Sequence, residues 1–291
     1  MTTRVRGLAR SVPLAVGLWI GAGAVALAGQ DWQRQTEEGR RAIGRGDYAE
    51  ALRLLTPAAQ QGNPEAQNAL GVLYVEGWGV RQDLTEAAAW FRRAAEQGHA
   101  KGQYNYGRML DQGHGVTRDV AAAAAWYRKS ADQGYPLGQS ILGAMYATGS
   151  GVPQSFAEAL KWYRLAAEQG EPEAQRRVGF MYVEGQGVDK DYAEAARWFR
   201  MGAAQGHAGS QYWLGRLYDE GWGVDRDLAQ AAEWYRQAAE NDGVEAQLRL
   251  GIMYANGEGV ARDSAQARIW LQRAADRGSA EAERLLRERW P

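Results

Sequence analysis

Residues 64–98 read PEAQNALGVLYVEGWGVRQDLTEAAAWFRRAAEQG, and the same pattern returns every 36 residues down to residue 278. Trp90, Trp126, Trp162, Trp198, Trp234 and Trp270 mark the period, each followed four and five positions later by two small residues. A fixed period in this range is the signature of stacked repeats. It sorts the chain into two kinds of position. Residues that recur stack the units, and residues that vary are where function is to be sought.

Within this unit Pro64 opens a helix at its first turn, where the missing N–H costs nothing. At about 100° per residue, Ala66, Gln67, Leu70, Gly71, Leu73 and Tyr74 share one arc, with Asn68, Val72, Val75 and Glu76 on the other side. Gly71 returns as Gly107, Gly143, Gly179, Gly215 and Gly251. Glycine inside a helix costs up to about 1 kcal/mol relative to Ala. Its return therefore predicts the close approach of a neighbouring helix backbone. Gln67 also recurs in every unit, which predicts a hydrogen bond from a buried edge to a neighbouring backbone group.

Glu76-Gly77-Trp78-Gly79-Val80 breaks the helix, and the apolar Val80 reads as a plug into the helix pair. Asp83 with Glu86 predicts a capping box at the start of the second helix. The spacing repeats as Ser155/Glu158, Asp191/Glu194, Asp227/Gln230 and Asp263/Gln266, while Asp119 with Ala122 keeps only the cap. Ala87, Trp90, Phe91, Ala94 and Ala95 form the buried face, and Gly98 stops the helix. Asn241-Asp242-Gly243 is the one irregular stop.

The chain has 34 Lys plus Arg against 35 Asp plus Glu. Beyond residue 28 the balance is 31 basic to 35 acidic, a net of −4, which argues against a nucleic-acid surface. Cysteine is absent, so disulfides, thiolate zinc sites and cysteine nucleophiles are excluded. His99, His114 and His207 are the only histidines, and no metal-ligand spacing contains them. Neither a Gly-x-Ser-x-Gly elbow nor a phosphate-binding glycine loop is present. No catalytic residue, cofactor or metal is expected.

Arg4, Arg6 and Arg10 precede an apolar run from Val12 to Ala28 that ends in Ala26-Leu27-Ala28. This reads as a secretory signal peptide, giving a periplasmic or secreted protein. The alternative is a retained membrane anchor, because a run of 17 lies at the short limit for a span. The expected layout is a signal peptide at 1–28, an N-terminal capping unit at 29–62, six repeats at 63–278 and a C-terminal capping helix at 279–291. In the N-terminal cap, Asp31–Gly44 and Ala49–Gln61 are the expected helices. At the other end the expected helix is Ala280–Trp290.

The pattern Ala-Gln-x-x-Leu-Gly-x-x-Tyr-x-x-Gly-x-Gly-Val-x-x-Asp, followed by Ala-x-x-Trp and Ala-Ala-x-x-Gly, resembles the Sel1-like repeat, a relative of the tetratricopeptide repeat. The N-terminal unit, with its shorter loop, resembles an ordinary tetratricopeptide unit. The resemblance implies an all-α fold, a right-handed α-solenoid of helix–loop–helix repeats whose first helices line a concave surface. It also implies an adaptor that assembles protein complexes. Cysteine-rich members that bind or hydrolyse β-lactams carry a disulfide in each repeat, which this chain lacks.

A longer period of 108 residues pairs Tyr104, Arg108 and Asp111 with Tyr212, Arg216 and Asp219. We read it as a duplicated block of three repeats. These six residues, with Arg176 and Phe180, lie on the variable arc, where they are not expected to be needed for stacking. Tyr and Arg dominate interface hot spots, so this face is the expected contact for a protein or peptide. Trp78 and Trp222 sit between the loop glycines, either as exposed contacts or packed on an adjacent loop.

Overall fold

The computed structural model describes residues 17–289, with side chains from Asp31 onward. The basic head of the expected signal peptide lies outside the described residues, as does Trp290 at the other end. All elements among the described residues are α-helices, which form two compact units divided after Gln97. The fold is an all-α solenoid of helix pairs.

The first unit contains α1 (Gly17–Gly44), α2 (Tyr48–Gln60), α3 (Pro64–Glu76) and α4 (Leu84–Glu96). The second begins with α5 (Ala100–Gln112), α6 (Val120–Asp132), α7 (Pro136–Thr148), α8 (Phe156–Glu168) and α9 (Pro172–Glu184). It continues with α10 (Tyr192–Ala204), α11 (Ala208–Glu220), α12 (Leu228–Glu240), α13 (Val244–Asn256), α14 (Ser264–Asp276) and α15 (Ala280–Arg289). Helix α1 begins at Gly17, well before the expected Asp31. Among the described residues no helix is long and apolar enough to cross a membrane.

Local chemistry sets each helix end. Asn63 accepts from Ala66 N–H to open α3, and Gly77 closes it in the left-handed region at φ 70°. Asp83 accepts from Thr85 and Glu86 N–H to open α4. Only this half of the expected capping box forms, because the Asp83 N–H donates to Tyr74 O at 3.0 Å. The same bond joins Ser155 to Tyr146, Asp191 to Tyr182, Asp227 to Tyr218 and Asp263 to Tyr254. Each loop is thus tied to the helix before it. The irregular stop is resolved by Asp242, which takes φ 66° itself and pairs with Arg277 at 2.5 Å.

The recurrent glycines need a different explanation from the expected backbone approach. A Cβ on Gly71 would lie 2.5 Å from the Phe91 ring of the paired helix. Gly107, Gly143, Gly179 and Gly215 face Tyr127, Tyr163, Phe199 and Tyr235 in the same way, and Gly251 faces Leu271. The slot therefore seats a large side chain from the second helix of its own repeat.

Two further bond patterns join neighbouring repeats. Gln139 donates to Ala131 O at 3.2 Å and accepts from Gln169 at 2.7 Å. Gln175 and Gln211 repeat this with Ala167 and Gln205, and with Ala203 and Asn241. The ladder stops at Gln247, whose Oε1 is buried with no partner among the described residues, because position 277 is the arginine that pairs with Asp242. In the second pattern Arg128, Arg164, Arg200 and Arg236 each donate to the tyrosine 18 residues on, from Tyr146 to Tyr254. At the recurrent tryptophan slot, Trp90, Trp162, Trp198 and Trp270 are buried, while Trp126 and Trp234 are half-buried.

Candidate interaction surface

The variable arc lies on the first helix of each repeat. In the second unit these are α5, α7, α9, α11 and α13, and α9 touches α11 directly. The recurrent arc seats large side chains of the second helices, which leaves the opposite side of the first helices to the variable side chains.

The eight expected contact residues meet different fates. Arg108 is exposed, its guanidinium 5.9 Å from the Tyr104 ring. Tyr104 packs at 5.8 Å on Tyr127 and 5.5 Å on Tyr135, and Tyr212 packs at 5.8 Å on Tyr235. Both tyrosines therefore support their own repeat, contrary to the expectation that stacking would not need them. Asp111 is half-buried and makes no ion pair among the described residues.

Asp219 departs furthest from the expectation. It is 5% exposed. Arg249 donates to both of its oxygens, at 2.8 and 3.1 Å, and the Tyr235 hydroxyl donates at 3.2 Å. Arg249 reaches on to Glu258 at 3.2 Å. The hydrogen bonds to Asp219 hold the Arg249 guanidinium above its ordinary pKa. Burial pushes the Tyr235 hydroxyl up, and the Asp219 charge adds to it. Asp219 is an internal brace between repeats and is removed from the contact set.

Arg176 belongs to a second ionic group. It donates twice to Glu173, at 2.8 and 2.6 Å, alongside Arg177 at 2.6 Å. His207 Nε2 faces the same carboxylate at 3.4 Å, while its Nδ1 accepts from Ser210 N–H and caps α11. Burial would raise the Glu173 pKa, but the bonds from His207 and Arg176 outweigh it and hold the carboxyl well below its usual range. Gly209 makes the room, since a Cβ there would lie 2.5 Å from Arg176 Cδ.

Phe180 and Arg216 join a run of half-buried aromatic residues. Phe180 meets Trp213 edge-on at 5.4 Å, and Trp213 stacks on Phe199 at 5.8 Å. The Arg216 guanidinium lies 4.8 Å from the Trp213 ring centre and 5.3 Å from that of Trp222. Trp222 stacks on Tyr192 of α10 at 5.2 Å, and Trp78 stacks on Tyr48 of α2 at 5.0 Å. The loop tryptophans thus lie on the second helix of the preceding repeat instead of on a loop.

The sequence reading missed Trp213 and Arg249. Both occupy the slot held by Ala69, Asn105, Ile141 and Arg177, where size and charge change from unit to unit. That variability was the available signal. Among the described residues no cluster of three or more His, Asp or Glu side chains is placed to hold a metal.

Residues 37–63, 64–99, 100–135, 136–171, 172–207, 208–243 and 244–279 each match the Sel1 repeat. The first of these falls in the segment expected to be a tetratricopeptide-like cap. Among solved structures the chain is similar to c5321, a protective antigen present in uropathogenic Escherichia coli strains that displays an SLR fold. The identity is 42% over 79% of this chain and 50% of that one, with a TM-score of 0.76. The chain thus spans half the length of that protein. It is also similar to a Sel1 repeat protein from Oxalobacter formigenes, at 34% identity over 82% of this chain and 96% of that one, with a TM-score of 0.77. No curated protein sequence matches. With seven repeats matched across residues 37–279, the chain belongs to the Sel1-repeat family.

Proposed function

We propose that this chain is a non-enzymatic scaffold, exported to the cell envelope, which holds a protein or peptide segment on the first-helix face of its second unit. Sel1-repeat proteins are generally protein-interaction scaffolds. One observation carries the reading to this face. Recurrent residues are consumed by the glutamine ladder, the Arg–Tyr bonds and the seated aromatic rings. Arg108, Phe180, Arg216 and Trp222, at varying positions, remain at least partly open to solvent. Tyrosine, tryptophan and arginine in such settings dominate binding energy.

Export is supported by Arg4, Arg6, Arg10 and the apolar run to Ala28. N-terminal sequencing of envelope material is expected to begin near Gly29. An intact Met1 or Thr2 in a soluble cytoplasmic fraction overturns export, and an intact N-terminus in membranes assigns a retained anchor. For the face, capture of envelope proteins by the wild-type chain is compared with capture by Arg108→Ala and Arg216→Ala. Loss of a specific captured protein at unchanged melting temperature supports the reading, and an unchanged profile for both variants removes it.

A further inference from the structure

Arg216 differs from the other arginines of the first-helix face in how it is held. Two tryptophans fix its position, and each is fixed in turn, Trp213 by Phe199 and Trp222 by Tyr192. A ring attracts a guanidinium through its face and leaves the in-plane N–H groups unspent. Burial pushes the Tyr212 hydroxyl up, and the nearby Arg216 guanidinium works against that push. None of the described ion pairs includes Arg216: of the two acids on its own helix, Asp219 is already taken by Arg249, and Glu220 is exposed and makes no ion pair among the described residues. The result is a half-buried planar cation, oriented in advance, with Phe180 and Trp213 as an apolar wall beside it.

The ligand group that matches a planar fork of free N–H donors is a carboxylate, which accepts two parallel bonds in its own plane. We propose, building on the scaffold reading, that Arg216 with Trp213 and Trp222 forms a carboxylate-reading site. It takes an Asp or Glu side chain within an extended peptide, with an adjacent apolar residue laid on Phe180 and Trp213. A terminal carboxylate is captured in closed backbone nests. Arg216 instead lies on the flank of a helix whose neighbour α9 continues the face, so the segment runs past the site.

The test uses random decapeptides displayed on phage in two formats, internal and with a free C-terminus. They are selected on the full chain, on Arg216→Gln and on Arg268→Gln, a change at an exposed residue of the second helix α14. Peptides with Asp or Glu beside an apolar residue are expected to be enriched about tenfold or more on the full chain and on Arg268→Gln, and not on Arg216→Gln. Enrichment with no acidic bias overturns the site while leaving peptide binding intact. The same bias on Arg216→Gln also overturns it, as does a bias confined to free C-termini. No enrichment in either format overturns both the site and the peptide-binding reading. Should Arg216→Gln melt early, a selected peptide and its Glu→Gln twin are compared on the unaltered chain. About tenfold weaker binding of the twin supports the site, and equal binding overturns it.

Discussion

Helices α5 and α11 carry the same three residues at the same spacing, and both tyrosines pack into their repeats, yet only in α11 are the arginine and the aspartate also built in. In α11 Asp219 is buried against Arg249, and Arg216 lies over Trp213 and Trp222. Around α5 the positions matching Arg249, Trp213 and Trp222 are Ile141 on α7, Asn105 on α5 and His114 in the loop that follows it. Asp111 therefore has no arginine across from it, and Arg108 is exposed beside one tyrosine. The lesson is that the variable residues around a repeated motif, on its own repeat and on the next, decide what it does. Identity of the motif does not.

The comparison breaks most visibly at Arg249. Arg249→Met leaves the Asp219 carboxylate buried and unpaired and is expected to cost about 3–5 kcal/mol, since removing one partner of a buried pair strands the other. Urea melts check this, and a cost below about 1 kcal/mol shows that Asp219 is solvated after all.

The frame beneath the two helices, by contrast, is the same. Added Cβ atoms at Gly107 and Gly215 would lie 3.0 and 2.9 Å from the facing tyrosine rings. Gly107→Ala and Gly215→Ala are each expected to lose about 1–3 kcal/mol through overpacking, and by similar amounts. Melts that separate the two variants widely contradict a shared frame.

Helix α9, which touches α11, sharpens the electrostatic side. Glu173 is held well below its ordinary value of 4.5. A depressed carboxyl stabilises the fold above its unfolded pKa and loses that contribution as pH falls below it. Glu173→Gln is therefore expected to lower the melting temperature at neutral pH, with the gap to wild type closing below about pH 4.5. A gap that persists unchanged at pH 3 contradicts the cluster's charge.

The smallest effect belongs to α5. Asp111→Ala is expected to change stability by no more than about 0.5 kcal/mol, as surface substitutions usually do. A larger loss gives Asp111 a structural partner and ends the contrast with Asp219.

The repeat frame was legible in the sequence because each stacking residue returns at a fixed interval and carries its own geometric reason. Pro64, Gly77, Asp83 and Trp90 could be assigned from one unit and checked against the others. The purpose of Gly71 was not legible, since the ring it seats stands 20 positions later at Phe91, on a second helix. The fate of Asp219 was hidden for the same reason. Its partner is 30 residues away, in a slot with no constant residue. Helical periodicity places a side chain on a face, but it does not say which neighbour closes over that face.

The central claim is that recurrent residues stack the chain and the first-helix face of the second unit binds the partner. Photo-crosslinking in the native host tests it most directly. Benzoylphenylalanine replaces Phe180 on that face in one variant and Met201, 37% exposed on α10, in another. The account predicts protein adducts from position 180 and none from position 201. Adducts from position 201 with none from position 180 contradict it.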